Sequence, residues 1–220
     1  TSESDLYFEA LRGAPQKKQI DHFLRQLAAQ TQTPLSAARD WREALEVLTF
    51  HIAAGRRCVV LDELPWMASG RTELVALLKY FWDVHWKANA GLTLVLCGSV
   101  ASFMIKHIVH SQALHNRKTL EIELAPLAAD EAKLFFRGLR SDHEIAKFLM
   151  VFGGVPKYLE QLDPTRSLAD NLDRLCFRKH AFFVNEFETI FKEQFKVTRS
   201  YEQVVRALAE RSGSKADLAR

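Results

Sequence analysis

Two short runs of mostly apolar residues constrain the fold of this chain more than any other feature. The first run covers residues 58–61, the second covers 92–97, and an amphipathic helical pattern lies between them. A continuous apolar run of this length is typical of a strand buried on both faces of a parallel sheet. Strands that alternate with helices predict βαβ units, so we expect an α/β fold with a parallel sheet and flanking helices.

The remaining elements of the first half continue this alternation. A strand is predicted at 6–10, and apolar residues at helical spacing predict helices over 20–27, 41–52 and 74–85, the second with Asp40 as its N-cap. A helix-like stretch at 100–108 and a further strand at 120–124 follow. After Pro126 only helical patterns remain, so we expect a boundary near residue 128, with an α/β part before it and an all-helical part after it.

The composition narrows the class of protein. Hydrophobic residues make up 48% and charged residues 26% of the 220 residues, which is ordinary for a soluble globular protein and argues against disorder. The net charge of +3 permits contact with nucleic acid but does not argue for it. The three cysteines are widely spaced and odd in number, so we expect buried free thiols and a cytoplasmic location. No apolar run approaches the roughly 18 residues that span a bilayer, so no membrane partner is expected.

The acidic pair Asp62-Glu63 directly follows the first apolar run. Ligands of open α/β sheets bind at the carboxyl ends of the strands. An aspartate at this point can help to hold Mg²⁺ through water, and the next glutamate can act as a general base on an attacking water. A solvated turn that only caps a helix explains the pair equally well. A shared metal site for a hydrolase is a weaker interpretation, because adjacent residues of an extended segment point to opposite faces.

Ser99 follows the second apolar run and is expected at the same edge of the sheet. A polar residue there can sense the γ-phosphate of a nucleotide, although an N-cap of the next helix needs no further role. A nucleophilic serine is disfavoured, because the run around Ser99 lacks the G-x-S-x-G pattern.

Two later segments also carry candidate residues. The polar loop 110–118 contains Arg117, a basic residue that could stabilise charge at a phosphate, and three histidines near it leave a zinc site or a solvated loop as alternatives. The segment 153–159 has Gly154 and Pro156 at the start of a helix, a turn that by itself requires no ligand.

The chain resembles the archaeal-type ATPase family in four motifs that occur in the family's order, VVLDELPWMA, LVLCGS, NRKTLEIELAPL and FGGVPKYLEQL. This family belongs to the STAND branch of P-loop NTPases and is related to AAA+ proteins. The resemblance runs from YFEA near the start to the last residues. It implies an ATP-binding, ATP-hydrolysing domain with a helical lid at 129–197 and the start of a winged-helix domain at 198–220.

The resemblance also implies roles for six residues. Asp62 matches the Walker B aspartate on the Mg²⁺ side, and Glu63 matches the catalytic glutamate. Ser99 matches the sensor, and Arg117 matches a basic residue that faces the γ-phosphate. Gly154 and Pro156 match the GxP turn of the lid, which looks onto the nucleotide base in relatives.

One departure from the family is serious. None of the nine glycines begins a Walker A motif, G-x-x-x-x-G-K-[ST], which supplies the backbone N–H groups and the lysine that bind the phosphates. The family carries this motif on the strand and helix that precede YFEA, and that strand sits between the Ser99 strand and the 120–124 strand. We therefore expect this chain alone to bind ATP and Mg²⁺ poorly and to be inactive.

The ends of the chain lead to the last expectations. Both ends look cut, so we expect either a fragment of a longer ATPase or a degenerate relative. The alternative function is a non-catalytic module that binds DNA or protein through the C-terminal region. A sheet that lacks a central strand has an uncovered edge, from which we expect self-association.

Overall fold

The computed structural model describes residues 5–99, 101–111 and 114–186, together with 203 and 205. The backbone forms two compact units, Thr1–Glu121 and Ile122–Arg220, and their division falls near the expected boundary at residue 128. The further division into a lid at 129–197 and a winged-helix start at 198–220 stays a prediction, because 187–220 lies outside the described residues apart from 203 and 205.

The first unit is an α/β unit built on a three-stranded sheet. Its elements are, in chain order, β1 (Leu6–Glu9), α1 (Gln16–Thr31), α2 (Trp41–Ile52), β2 (Arg57–Asp62), α3 (Leu64–Met67), α4 (Glu73–Phe81), β3 (Leu92–Leu96) and α5 (Ala101–Met104). Helices α4 and α5 continue as the π-helical turns Trp82–Trp86 and Ile105–Val109. The strands are parallel in the order β1-β2-β3, with Phe8 beside Leu61 and Leu61 beside Leu96, so the predicted parallel sheet with flanking helices is confirmed.

The core of this unit lies on one face of the sheet. Phe8, Val59 and Leu61 are fully buried together with the apolar stripes of α1, α2 and α4. Cys58 and Val60, which alternate with them along β2, are only half-buried. The prediction that β2 is buried on both faces is therefore wrong, because successive side chains point to opposite faces and this core covers only one of them.

The same geometry corrects the prediction of buried cysteines. Cys58, Cys97 and Cys176 are free thiols, as expected, but each is half-buried.

The N-cap predicted for α2 is present in the structure. The Asp40 carboxylate accepts the backbone N–H of Glu43 at 3.0 Å and begins α2, as an N-cap does.

Glutamine side chains of α1 cover the outer edge of β1. Gln30 accepts the N–H of Tyr7 at 2.7 Å and donates to its carbonyl at 2.8 Å, and Gln26 makes the same pair of bonds to Glu9 at 2.9 Å each. Gln19 repeats the pattern on Leu11, just after the strand. Each side-chain amide thus takes the position of a peptide group in a neighbouring strand.

The spacing of these glutamines explains how one helix can follow one strand edge. Positions 19, 26 and 30 lie on one face of α1 and rise about 16 Å along it, while alternate residues from Tyr7 to Leu11 advance about 13 Å along an extended chain. Alternate residues of a strand direct their N–H and C=O groups to the same side. The β1 edge is therefore closed to a further strand, whereas β3 has a paired neighbour on one side only among the described residues.

The predicted strand at 120–124 is not a strand in the structure. Leu120, Ile122 and Leu124 are 75%, 72% and 92% exposed, and the segment has no regular structure. Its alternating apolar residues have strand character, but a strand also needs a hydrogen-bonded neighbour. No strand of the described chain pairs with this segment, so its sequence preference is not realised.

Within its described part, 122–186, the second unit contains helices and turns but no strand. Its elements are α6 (Ala129–Ala132), α7 (Asp142–Phe152), α8 (Pro156–Leu159) and α9 (Leu168–Leu172), with a 3₁₀ turn at Lys133–Phe136 and a π-helical turn at Asp173–Phe177. Its own small core contains Phe136, Ile145, Phe148, Phe152 and Leu175. Within the part of the chain that the structure describes, no helix is both long and apolar enough to span a bilayer.

Candidate functional site

The carboxyl ends of β2 and β3 meet at one edge of the sheet. The N–H of Cys97 donates to the carbonyl of Leu61, and the N–H of Leu64 donates to the carbonyl of Cys97, both at 2.9 Å. These two bonds extend the parallel pairing beyond the strands themselves. They bring Asp62 and Glu63, at the end of β2, beside Ser99, which follows β3.

The backbone of Glu63 is left-handed, with φ 52° and ψ 46°. This conformation is uncommon for a residue with a side chain and costs roughly 1–2 kcal/mol, so it marks a strained turn between β2 and α3. The turn directs the carboxylate toward β3. Ser99 donates to Glu63 Oε2 through its hydroxyl at 3.1 Å and through its backbone N–H at 3.4 Å.

Gly98 allows the two strand ends to come this close. A β-carbon at Gly98 would lie 2.6 Å from Pro65 Cδ and 2.9 Å from Met104 Sδ. Pro65 is part of the short helix α3 that follows Glu63. The glycine before Ser99 is therefore required by packing against the acidic turn, which sequence reasoning did not recognise.

Asp62 is held at both of its carboxylate oxygens. Oδ1 accepts the backbone N–H of Glu63 at 2.9 Å, and Oδ2 accepts the hydroxyl of Tyr7 from β1. Sequence reasoning missed Tyr7, although the strand pattern could have suggested it, since Tyr7 is a polar aromatic residue on the alternate face of β1 from buried Leu6 and Phe8.

The charges at this edge act on neighbouring groups. The hydrogen bond to Asp62 raises the pKa of Tyr7 to about 12, so its hydroxyl stays protonated near neutral pH. Burial raises the pKa of the Cys97 thiol, and the negative charges of Asp62 and Glu63 add to this effect. The edge therefore carries two carboxylates beside hydroxyl groups and a neutral thiol.

Arg117 does not join these residues. Its guanidinium makes a two-point contact with Asp83, at 2.7 Å to Oδ1 and 2.9 Å to Oδ2, and a third bond at 3.0 Å to the carbonyl of His115. Lys79 lies 3.0 Å from the same aspartate. The hydrogen bonds from Arg117 and then Lys79 hold the pKa of Asp83 far below its usual range. The role of Arg117 toward a phosphate stays a prediction.

Gly154 and Pro156 belong to the second unit, and contacts within that unit are sufficient to explain both residue types. The carbonyl of Gly154 accepts the N–H of Leu127 at 2.8 Å, and a β-carbon at Gly154 would lie 2.2 Å from the Leu127 carbonyl oxygen. Pro156 occupies the first turn of α8, after Val155 as N-cap. Their contact with a nucleotide base stays a prediction.

The side-chain oxygens at the strand ends can be compared with the ligands that Mg²⁺ uses in proteins. Within residues 5–99, 101–111 and 114–186, no three His, Cys, Asp or Glu side chains are grouped to hold a metal ion together. Mg²⁺ usually keeps several waters and binds one or two carboxylates together with substrate phosphates. Asp62 fits such a contact through water, since each of its oxygens accepts one hydrogen bond and has a lone pair left.

The comparisons with known proteins identify a likeness of fold. No protein-family model matches the sequence, and no curated protein matches it. Among solved structures, the chain is similar to the Walker-type ATPase PABY2304 of Pyrococcus abyssi, with a TM-score of 0.52 and 17% identity over 93% of this chain and 67% of that chain. At this identity the likeness concerns the fold alone, so the chain has an α/β fold like that of a Walker-type ATPase.

Proposed function

We propose that this chain carries the Walker B half of an ATP site in a STAND-type ATPase. The observation that carries the proposal is the strained turn at Glu63, which holds a carboxylate 3.1 Å from Ser99 Oγ at the carboxyl edge of a parallel sheet, next to Asp62. Strain of this kind persists where the surrounding structure enforces it and is frequent at active sites.

In this proposal Glu63 is the general base. Oε2 accepts the two bonds from Ser99, and no partner of Oε1 is found among the described residues. Oε1 can therefore accept a proton from an attacking water as the water oxygen bonds to the γ-phosphorus, while the bond from that phosphorus to the bridging oxygen breaks and ADP leaves. Without nucleotide, the hydrogen bonds from Ser99 fix the orientation of the Glu63 carboxylate.

Ser99 acts as the sensor. A serine hydroxyl has a single proton, so it can donate either to Glu63 or to an oxygen of the γ-phosphate, but not to both at once. When a bound phosphate accepts the hydrogen bond from the Ser99 hydroxyl, Glu63 Oε2 keeps only the 3.4 Å bond from the Ser99 N–H. Ser99 thereby links the presence of the γ-phosphate to the state of the catalytic base.

Asp62 orients the waters around Mg²⁺ in this proposal. When bound, the metal neutralises charge on the phosphates during transfer. The part of Asp62 is to accept hydrogen bonds from the ion's waters through its remaining lone pairs. A carboxylate held at both oxygens loses little freedom on doing so, which favours binding.

The resemblance also suggests roles for Arg117, Gly154 and Pro156, and we include these roles in the proposal. Arg117 would stabilise charge on the γ-phosphate, for which its guanidinium has to leave Asp83. Gly154 and Pro156 would line the nucleotide base from the lid. The 220 residues contain no Walker A motif, so we propose that they bind and hydrolyse ATP poorly without one.

Among the described residues, β3 has a strand neighbour on one side only, which agrees with an incomplete half-site. Because glutamines close the β1 edge, a strand can join the sheet only beside β3, where the resemblance expects the Walker A strand. The exposed segment 120–124 also has strand character without a neighbour. A second copy at the same edge would give the expected self-association, and sedimentation would detect it as a dimer.

Nucleotide binding tests the proposal. It is measured on the full-length protein, by which we mean the natural polypeptide that contains these 220 residues. We expect calorimetry to detect ATP binding that strengthens with Mg²⁺, and Asp62→Asn to remove the Mg²⁺-dependent part. Asp21→Asn, a change at an exposed carboxylate of α1, serves as the control and leaves binding unchanged. Absence of ATP binding by the full-length protein contradicts the proposal and favours the non-catalytic binding module.

A further inference from the structure

The hydroxyl of Tyr7 reaches from β1 to the aspartate at the end of β2. It donates to Asp62 Oδ2, while the backbone N–H of Glu63 donates to Oδ1 at 2.9 Å. Tyr7 pairs with Val60 in the register and Glu9 pairs with Asp62, so the tyrosine lies on the same face as the aspartate, one diagonal step away. This contact belongs to the sheet itself and does not depend on a loop.

Several bonds fix the tyrosine in turn. Gln30 holds both the N–H and the carbonyl of Tyr7, at 2.7 and 2.8 Å. The next residue, Phe8, is fully buried and stacks on Phe23 of α1. Strand β1 therefore cannot slide or tilt without breaking these contacts, and the hydroxyl is presented to Asp62 from a fixed point.

An aspartate without such a partner has a mobile carboxylate. Its terminal torsion has a broad, two-fold profile, so rotation of the carboxylate plane is nearly free. Two fixed donors, one on each oxygen, select a single orientation of that plane. The lone pairs that remain then have defined directions at the carboxyl edge of the sheet.

We propose that Tyr7 is a positioning residue, which fixes the carboxylate of Asp62 so that its remaining lone pairs accept hydrogen bonds from the waters of a Mg²⁺–nucleotide complex. This inference rests on the proposed function and adds a residue to it. Partners that orient a metal-binding carboxylate typically change metal affinity about 10- to 100-fold when they are removed.

A purely structural contact would behave differently. If Tyr7 only tied β1 to β2, its loss would lower the thermal stability of the protein and leave metal affinity unchanged. Tyr7→Phe keeps the ring and removes only the hydroxyl. Tyr80→Phe is a matched control, because Tyr80 is exposed to the same extent, 40%, and its ring faces the guanidinium of Arg42.

The test uses the full-length protein, with Mn²⁺ as the probe for Mg²⁺ and ADP as the nucleotide. Free Mn²⁺ is measured by electron paramagnetic resonance, ADP affinity is measured separately in EDTA, and thermal unfolding is followed without ligand. We expect Tyr7→Phe to weaken nucleotide-dependent Mn²⁺ binding about tenfold and to leave metal-free ADP affinity unchanged. The loss of one hydrogen bond lowers the unfolding midpoint slightly, so the metal affinity is the measurement that decides. Tyr80→Phe should match the wild type in all three measurements.

Each contrary result has its own meaning. If the wild type binds Mn²⁺ with ADP and Tyr7→Phe binds it equally well, the role of Tyr7 is overturned while the proposed function stands. If Tyr7→Phe lowers the unfolding midpoint and metal-free ADP affinity without a separate effect on Mn²⁺, the contact is structural and the inference is overturned. If the wild type shows no nucleotide-dependent Mn²⁺ binding, the proposed function and this inference both fail.

Discussion

Ser99 Oγ lies 3.1 Å from Glu63 Oε2, and this bond joins the ends of two parallel strands. The left-handed backbone of Glu63, with φ 52°, directs its carboxylate toward Ser99. Ser99 can come this close because the preceding residue, Gly98, has no β-carbon that would collide with Pro65. The two residues are 36 positions apart in the sequence, so only the fold brings them together. The chemistry that we propose depends on this contact.

Replacement of Ser99 by alanine should separate catalysis from binding. Ser99→Ala removes the hydroxyl donor to Glu63 and to the phosphate, so we expect kcat of the full-length protein to fall about 100-fold. ATP affinity should change little, because the proposal gives the Ser99 hydroxyl a single hydrogen bond to the nucleotide. Ser36→Ala, at an exposed serine between α1 and α2, is the control. An unchanged kcat for Ser99→Ala would remove the sensor role from the proposal.

The closed edge of β1 gives a second prediction. Gln30→Met keeps the length of the side chain but removes both bonds to the backbone of Tyr7, so we expect a loss of about 1 kcal/mol in the free energy of unfolding. Hydrogen exchange at the Tyr7 amide should become faster. Lys17→Met, on an exposed position of the same helix, should affect neither quantity. Equal exchange at Tyr7 in the two variants would argue against edge protection by glutamine.

Much of the first unit follows from local sequence signals. The alternation of apolar runs and amphipathic helices predicted β1, β2, β3 and the helices α1, α2 and α4, and Asp40 predicted the start of α2. These signals act within a few residues of each other. The placement of Asp62, Glu63 and Ser99 at one edge also follows, because parallel strands share their carboxyl edge.

The strand prediction that failed and the contacts that were missed involve residues that are distant in the sequence. Residues 120–124 have the alternation of a strand, but their sequence cannot report whether a neighbouring strand is present. The bonds of Gln26 and Gln30 to β1 depend on how a helix crosses a strand, which composition does not encode. Tyr7 was missed for the same reason, because its partner Asp62 lies 55 positions away.

The ion pair between Arg117 and Asp83 predicts a pH dependence of stability. Hydrogen bonds from Arg117 and Lys79 lower the pKa of Asp83, so the folded state binds this proton less readily than the unfolded state does. The stabilisation is then complete above the ordinary aspartate pKa of about 4 and is lost as the pH falls through that value toward the lowered one. Asp83→Asn should be less stable than the wild type at neutral pH, and the difference should shrink in acid.

Thermal unfolding from neutral to acidic pH measures this difference. Asp130→Asn, at an exposed carboxylate in the first turn of α6, is the control, and we expect no gain or loss of the Arg117 contact from it. A stability difference between Asp83→Asn and the wild type that stays constant as the pH falls would show that the charge of Asp83 is not the source of the stabilisation.

Gly154 gives a prediction for the second unit. A β-carbon there would meet the Leu127 carbonyl oxygen at 2.2 Å, a backbone atom that cannot move aside easily, so Gly154→Ala should lower the free energy of unfolding by about 3 kcal/mol. Gly138→Ala offers a comparison, since it also adds a methyl group but in open space at φ 74°, and it should cost only about 1 kcal/mol. Chemical denaturation of both variants measures the two costs. Equal costs would mean that the Leu127 contact does not require glycine.

The central claim is that Glu63 is the catalytic base of an ATP site, and Glu63→Gln in the full-length protein tests it most directly. Glutamine preserves the size of the side chain and the contact with Ser99 but cannot take a proton from water. ATP affinity and the rate of ATP hydrolysis are measured together, with Glu46→Gln on the exposed face of α2 as the control. We expect Glu63→Gln to bind ATP as the wild type does and to hydrolyse it about 100- to 10,000-fold more slowly. Hydrolysis by Glu63→Gln at the wild-type rate would contradict it.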